Sequence, residues 1–90
     1  DGIVVIIINL QNGQMLSEPE IITRGFIYVK ESEELMRELR ELAGGAALTA
    51  IGKKGRDIGE IRSVVKTAVS NYLFKNTKRS PMIIPVVNRL

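Results

Sequence analysis

Residues 3–8 form an unbroken run of six β-branched side chains, IVVIII. Branching at the β-carbon restricts a side chain in a helix and packs well on a pleated surface, so the run predicts a strand. A short apolar run without polar alternation is typical of a strand that is buried on both faces. The run is far shorter than the ~20 apolar residues of a membrane span. We therefore expect a soluble sheet built around this strand.

A turn and a second strand are predicted directly after this run. Asn12 and Gly13 form a strong hairpin signal, because both positions of such a turn need a positive φ. A return strand starts at residues 15–16 and resumes over residues 21–29. Pro19 lies between the two parts and cannot donate a hydrogen bond to a sheet, so we expect it at a bulge or an edge. The prediction is a long hairpin with an interrupted return strand.

A first helix is predicted from Ser32, which is a good N-cap. Its apolar side chains recur at helical spacing as far as Ile51, and Gly52 is the expected C-cap. Gly44 and Gly45 interrupt the pattern and weaken a helix by about 1 kcal/mol each, so the end of this helix stays open. A basic loop over residues 52–56 is expected to follow.

A second helix and a last strand complete the chain. Asp57 and Glu60 resemble a capping box, and the clearest amphipathic pattern of the chain follows, over about residues 57–75. Residues 82–87 are apolar and predict a strand. Pro85 within that strand indicates an edge position, because its nitrogen carries no hydrogen.

The order of the predicted elements is β-β-α-α-β, which fits an α+β fold in one domain over residues 1–90. We expect a two-layer sandwich, a three-stranded sheet with two helices on one face. The other apolar face is then expected to meet another subunit or another domain; a sheet that curls enough to bury both faces is the alternative. The residues expected at this interface lie on one side of the first and last strands: Val4, Ile6, Ile8, Ile83 and Val87. The opposite side of the same strands is the alternative: Ile3, Val5, Ile7, Met82, Ile84 and Val86.

The composition excludes most catalytic chemistry. The chain has no Cys and no His, so it lacks thiolate nucleophiles, the commonest general base and the commonest metal ligands. Asp57 and Glu60 are interpreted as a helix cap, and Glu31, Glu33 and Glu34 as acids at the start of the first helix. We therefore predict no catalytic residue, no metal site and no cofactor in this chain.

Charge is unevenly distributed along the chain. Residues 46–90 hold nine of the 13 basic side chains and two of the ten acidic ones, which is a possible phosphate-binding footprint. A solvated face that pairs with the acidic first helix is the simpler interpretation, because the net charge is only +3. Arg24 shares a strand face with Phe26 and Tyr28, and such a group can stack on single-stranded RNA, although a structural arginine is the simpler interpretation. The candidate RNA-binding residues are Arg24, Lys53, Lys54, Arg56, Lys78 and Arg79.

Three segments carry a resemblance to a known family. Residues 20–32, EIITRGFIYVKES, resemble the pattern DIISRGFVYVRES of ribonuclease J, and residues 74–87, FKNTKRSPMIIPVV, resemble its closing FLYEKTKRRPMILPVI. The opening residues 1–5, DGIVV, match as well. All three belong to the C-terminal domain of that family. Two departures stand out: residues 43–56 are rich in Gly and Ala where the family is charged, and Ser80 stands where the family commonly has Arg.

The resemblance implies that this chain is the C-terminal domain of a bacterial-type ribonuclease J, whose metallo-β-lactamase and β-CASP domains lie outside it. Such an enzyme degrades and matures RNA from the 5′ end and also cuts internally, using two zinc ions held mostly by histidines. The domain itself is implied to support subunit assembly and activity. The implied partners are an identical or paralogous subunit, and RNA through the parent enzyme. The implied location is cytoplasmic, without membrane contact.

Overall fold

A computed structural model describes residues 2–25, 32–54 and 57–90, apart from the side chains of Ser32 and Lys54. The elements are β1 (Ile3–Gln11), β2 (Gln14–Met15), β3 (Glu20–Arg24), α1 (Ser32–Lys54), α2 (Ile58–Thr77) and β4 (Met82–Arg89). The two-layer α+β sandwich is confirmed, with β2 and β3 as the two parts of the interrupted return strand.

The hairpin between β1 and β2 has the predicted turn. Asn12 has a φ of 55° and Gly13 a φ of 77°, so both residues adopt the left-handed conformation that this turn requires. Pro19 lies in the break between β2 and β3 and is buried. A β-carbon on Gly44 would lie 3.4 Å from the Pro19 Cδ atom. The glycine therefore lets α1 pass close to the break in the strand.

Strand β1 lies in the centre of the sheet. It pairs antiparallel with β3, where Val5 is opposite Ile22, and parallel with β4, where Val5 is opposite Ile84. Within the described residues β4 pairs only with β1, so the edge position indicated by Pro85 is confirmed. The predicted return strand reached residue 29, but β3 ends at Arg24, Gly25 has a φ of 69°, and residues 26–29 lie outside the described part.

Helix α1 is longer than its apolar pattern suggested. It continues to Lys54, so the predicted C-cap at Gly52 is wrong and both Gly44 and Gly45 lie inside the helix. Ala47 and Ala50 are buried on its inner face, and this packing outweighs the ~1 kcal/mol that each interior glycine costs.

Helix α2 begins and ends with the expected signals. The side chain of Asp57 accepts a hydrogen bond from the Glu60 backbone nitrogen at 3.3 Å, which confirms the cap. The helix ends at Thr77, two residues beyond the predicted 75, and Lys78 adopts the left-handed conformation after it. The side chain of Tyr72 contacts Glu38 of α1, so the C-terminal half of α2 lies beside the N-terminal half of α1 and the helices are antiparallel.

The core lies between the helices and one face of the sheet. Alternate residues of β1 are fully buried there, beginning with Val4 and Ile6. Every fourth residue of α2 is buried against them: Ile61, Val65, Val69 and Leu73. The residues between them on β1 are only half-buried. The expectation that β1 is buried on both faces is thus wrong for this chain alone, because both helices pack on one side.

Candidate functional site

The candidate site is the face of the sheet that the helices do not cover, which we call the open face. Its nine positions form three rows of three, because β1 is paired in register with both neighbours. The first row is Arg24, Ile3 and Met82, the second is Ile22, Val5 and Ile84, and the third is Glu20, Ile7 and Val86.

Seven of these nine side chains are apolar, and several are well exposed. Met82 is 62% exposed, Ile3 38% and Ile84 37%. Asn9 and Asn88 border the third row, where the Asn88 Nδ2 atom donates to the Asn9 Oδ1 atom at 2.9 Å. A contiguous apolar patch with a polar border is typical of a protein interaction surface rather than of solvated surface.

The predicted interface residues lie on the opposite side of the sheet. Val4, Ile6 and Ile8 have no exposed surface and Ile83 is only 5% exposed, while Val87 packs against the same core. A partner cannot reach these side chains, because α1 and α2 cover them. The alternative set of residues lies on the open face instead. A run that is apolar at every position cannot reveal which side the helices cover.

Three of the predicted RNA-binding residues lie at two separate ends of the helix pair. Lys53 is exposed at the C-terminal end of α1, whereas Lys78 and Arg79 follow the C-terminal end of α2. Since the helices are antiparallel and α2 has 20 residues, these positions are separated by a helix about 30 Å long. Arg56 and the Lys54 side chain lie outside the described part of the chain.

Lys78 and Arg79 also have partners within the domain. The Lys78 Nζ atom lies 5.5 Å from the centre of the Phe74 ring, a cation–π contact. The Arg79 backbone nitrogen donates to the Thr77 Oγ1 atom at 3.1 Å, and its side chain is half-buried. The contacts of both residues therefore stabilise the C-terminal end of α2.

Arg24 lies at the β3 edge of the open face. It is exposed, and its Nη1 atom donates to the Thr23 carbonyl oxygen at 2.8 Å. Phe26 and Tyr28, which were expected to stack with it, lie outside the described residues. What the structure does place beside Arg24 on this face is aliphatic: Ile3 across the ladder and Ile22 on its own strand.

Other cations line a shallow groove between α2 and β4. Arg62 and Lys66 are one helical turn apart and border it together with Met82 and Ile84. This groove lies next to the open face and shares two of its residues. Two basic side chains and an apolar surface therefore line the same groove.

One half-buried polar contact was missed in the sequence. The Tyr72 hydroxyl donates a hydrogen bond to the Glu38 Oε1 atom between the two helices. Burial, reinforced by this hydrogen bond and by the negative charge of Glu38, raises the pKa of Tyr72 to about 12. Both residues lie at the margins of their apolar stripes, which is the only sequence signal for the pair. The contact holds α1 and α2 together and has no access to the open face.

No metal centre and no membrane-spanning helix are found in the described residues. No cluster of three or more acidic side chains there has the arrangement of a metal site. Neither α1 nor α2 is apolar enough over a sufficient length to cross a bilayer.

Comparison with known proteins adds an independent observation. The family model described as Ribonuclease J C-terminal domain matches residues 1–90. The chain is similar to Ribonuclease J2 of Bacillus subtilis (strain 168), with 38% identity over 89 residues that cover 97% of this chain and 16% of that protein. It is similar to Ribonuclease J 2 of Staphylococcus aureus (strain NCTC 8325 / PS 47), with 38% identity over 92 residues, 100% of this chain and 16% of that protein. The chain spans about a sixth of the length of these curated relatives.

Proposed function

Because this chain belongs to the family of ribonuclease J C-terminal domains, we propose that it is the accessory domain of a ribonuclease J-like enzyme. The parent protein is a 5′-3′ exo- and endoribonuclease of RNA decay and maturation that acts in the cytoplasm. Its hydrolytic active site lies outside this chain, and this domain joins subunits of the enzyme.

The residues of this chain do not fit the zinc ions that the family implies. The chain has neither His nor Cys, which are the preferred zinc ligands beside carboxylates. Among the described side chains, the acids lie at a helix cap, along the helices and in or just before β3, and no three of them are grouped as a metal site. We therefore assign zinc binding to the catalytic domain, and no step of the reaction to this one.

The open face is the single observation that supports assembly most strongly. Seven apolar side chains in three paired strands lie on the side of the sheet that no described element covers. Covering such a face removes apolar surface from water and stabilises association by about 25 cal/mol per Å². The adjoining helices already bury the other face, so a second protein surface is the natural cover.

Direct RNA binding is a second candidate, and the groove beside Arg62 and Lys66 is the observation that favours it. Two cations make a weak phosphate site. The basic residues predicted from the sequence are far apart. Lys53 lies at one end of the helix pair, and Lys78 and Arg79 lie at the other end. RNA binding through these groups would weaken steeply as salt is raised, whereas apolar association would not.

A matched pair of substitutions tests the assembly role. Ile84→Asp places a charge in the middle of the open face, and Leu48→Asp places the same charge on α1, where Leu48 is 60% exposed. Because a desolvated, unpaired carboxylate is costly, we expect Ile84→Asp to weaken self-association at least about tenfold, or about 1.4 kcal/mol. Light scattering over a concentration series measures this effect.

Both positions are on the surface, so both variants should retain the helical circular dichroism of the wild type. Leu48→Asp should associate as the wild type does. Equal association of all three proteins would contradict the assembly role of the open face.

A further inference from the structure

The outer edge of β4 has no neighbouring strand within the described residues, because β4 pairs there with β1 alone. The Met82 nitrogen donates to the Gly2 carbonyl oxygen on the β1 side at 2.9 Å. Since the backbone groups of alternate residues point to opposite edges of a strand, those of Ile83, Pro85 and Val87 point outward. A row of outward N–H and C=O groups is a template for a further strand.

Pro85 limits what this edge can bind. Ile83 and Val87 each present an N–H donor and a carbonyl acceptor, whereas Pro85 presents a carbonyl alone. A proline on an edge strand is a common protection against indiscriminate pairing between sheets. The edge therefore suits a short segment that gains part of its affinity through its side chains.

Two cations lie beside this edge. Helix α2 packs along β4, and its residues Arg62 and Lys66 line the groove between the two elements. Both side chains are exposed, and neither has an acidic partner in the part of the chain that the structure describes. None of the described residues that line the groove is acidic. We therefore expect a ligand of this groove to carry negative charge.

We propose that the groove binds an extended segment of another protein, in which acidic and apolar residues alternate. The segment lies antiparallel to β4 and adds a strand to the sheet, and its carboxylates contact Arg62 and Lys66. Strand addition of this kind gains affinity from main-chain hydrogen bonds and specificity from alternate side chains. Binding requires a single copy of this chain, so it is independent of assembly through the open face.

The pleat of the sheet determines the pattern of the segment. Side chains of paired residues on neighbouring strands lie on the same side of a sheet. The residues opposite Ile83 and Pro85 therefore lie on the helix side, where they face the two cations and are acidic. The residue between them lies on the other side, beside Ile84, which is 37% exposed, and is apolar.

The spacing of the cations fits this alternation. Arg62 and Lys66 are four residues apart on α2, which is about 6 Å along a helix. Two residues on the same side of a strand are about 6.7 Å apart. Each of two such carboxylates therefore meets one cation, in a charge-assisted hydrogen bond.

Single-stranded RNA is a less favourable occupant of this groove. Its phosphates accept hydrogen bonds and donate none, so they leave the outward carbonyl groups of β4 unpaired. Proteins that bind single strands commonly stack the bases on aromatic side chains, and none of the described lining residues is aromatic. A peptide segment uses both the strand edge and the cations.

Synthetic peptides test the proposed pattern. The probe is acetyl-SVEVEVS-amide, and calorimetric titration to millimolar peptide gives its dissociation constant. We expect saturable binding of one peptide per chain. The scrambled peptide acetyl-SVVEEVS-amide has the same composition without the alternation, so it should bind at least about tenfold more weakly, since its carboxylates lie on opposite sides of the strand.

Charge reversal in the groove tests the contact with the carboxylates. Lys66→Glu places like charges together, so it should weaken binding of the acidic peptide at least about fivefold. Lys75→Glu is the matched control, because Lys75 is an exposed lysine of the same helix that does not line the groove. The double variant Arg62→Glu/Lys66→Glu should instead bind acetyl-SVKVKVS-amide, since the charges on the two sides are exchanged.

Methylation of peptide nitrogens tests the added strand itself. In the antiparallel arrangement, the nitrogens of the two Glu residues face β4 and donate to the carbonyl oxygens of Ile83 and Pro85. The nitrogen of the Val between them faces away. N-methylation of either Glu should therefore weaken binding at least about tenfold, and N-methylation of that Val should leave it unaltered.

The opposite outcomes would overturn the proposal. Equal binding of the acidic and scrambled peptides, or of the wild type and Lys66→Glu, would exclude the carboxylate contacts. Indifference to methylation at Glu would exclude an added strand. Tighter binding of a ten-nucleotide oligouridine than of the peptide, lost in Lys66→Glu, would assign the groove to RNA. A peptide that binds this chain but not the full-length enzyme would show that another part of the enzyme fills the groove, and would overturn the choice of a separate protein.

Discussion

At the scale of single residues, the contact between Tyr72 and Glu38 shows how a polar group is accommodated between two helices. The Tyr72 ring packs against the core, and its hydroxyl donates to the Glu38 carboxylate. The pair is half-buried, so this hydrogen bond stabilises the domain by about 0.5–1.5 kcal/mol. The pair therefore fixes how α1 and α2 align along their length.

The raised pKa of Tyr72 gives a test in alkaline solution. Its value in the folded domain, about 12, exceeds the ordinary 10.0, so the folded state holds this proton more tightly than the unfolded state. The corresponding stability is present below about pH 10 and is lost as the pH rises towards 12. We expect Tyr72→Phe to lower the free energy of unfolding by about 1 kcal/mol near neutral pH and to remove this part of the alkaline decline. Urea unfolding at several pH values measures both effects.

Glu38→Gln is the control for that experiment. It keeps an acceptor for the hydroxyl and removes the negative charge, while burial, the main cause of the raised pKa, remains. An alkaline decline in Tyr72→Phe as steep as that of the wild type would contradict the assigned role of the hydroxyl.

Residues whose effect is local could be predicted from the sequence. The positive φ of Asn12 and Gly13 follows from the needs of a two-residue turn, and the Asp57 cap from unsatisfied N–H groups at the start of a helix. Pro85 marks an edge because it has no N–H to donate. None of these predictions depends on what lies across the molecule.

At the scale of elements, the C-terminal end of α1 could not be predicted from local sequence signals. Gly52 follows the apolar stripe and has the chemistry of a C-cap, yet the helix continues to Lys54. The buried alanines on its inner face pack in the core and stabilise the helix beyond Gly52. This tertiary packing cannot be predicted from the residues next to the helix end. For the same reason the sequence indicated an open apolar face without revealing which side of β1 forms it.

The two adjacent glycines of α1 give a prediction at this scale. A β-carbon on Gly45 would have nothing within 4 Å, so Gly45→Ala should raise the free energy of unfolding by about 0.5–1 kcal/mol through helix propensity. A β-carbon on Gly44 would lie 3.4 Å from the Pro19 Cδ atom, at the limit of ordinary contact, so Gly44→Ala should gain less than Gly45→Ala. Urea denaturation compares the two variants. A larger gain at Gly44 than at Gly45 would contradict this packing.

At the scale of the whole molecule, the described part of the chain has two layers, one of helices and one of sheet. Two helices cover one face of the sheet, and the described residues leave the other face aliphatic between Arg24 and Glu20. A domain that spans about a sixth of its relatives has no need to bury every apolar surface by itself. The open face is the surface through which we propose that this domain joins the subunits of a larger enzyme.

The measurement that tests this account most directly is sedimentation equilibrium of the wild-type chain, from micromolar to millimolar concentration, at low and at high salt. We predict a reversible dimer whose dissociation constant changes little with salt, because apolar burial supplies most of its stability. A chain that stays monomeric at every concentration, or a dimer that dissociates completely as salt is raised, would contradict the claim that the open face is an apolar assembly surface.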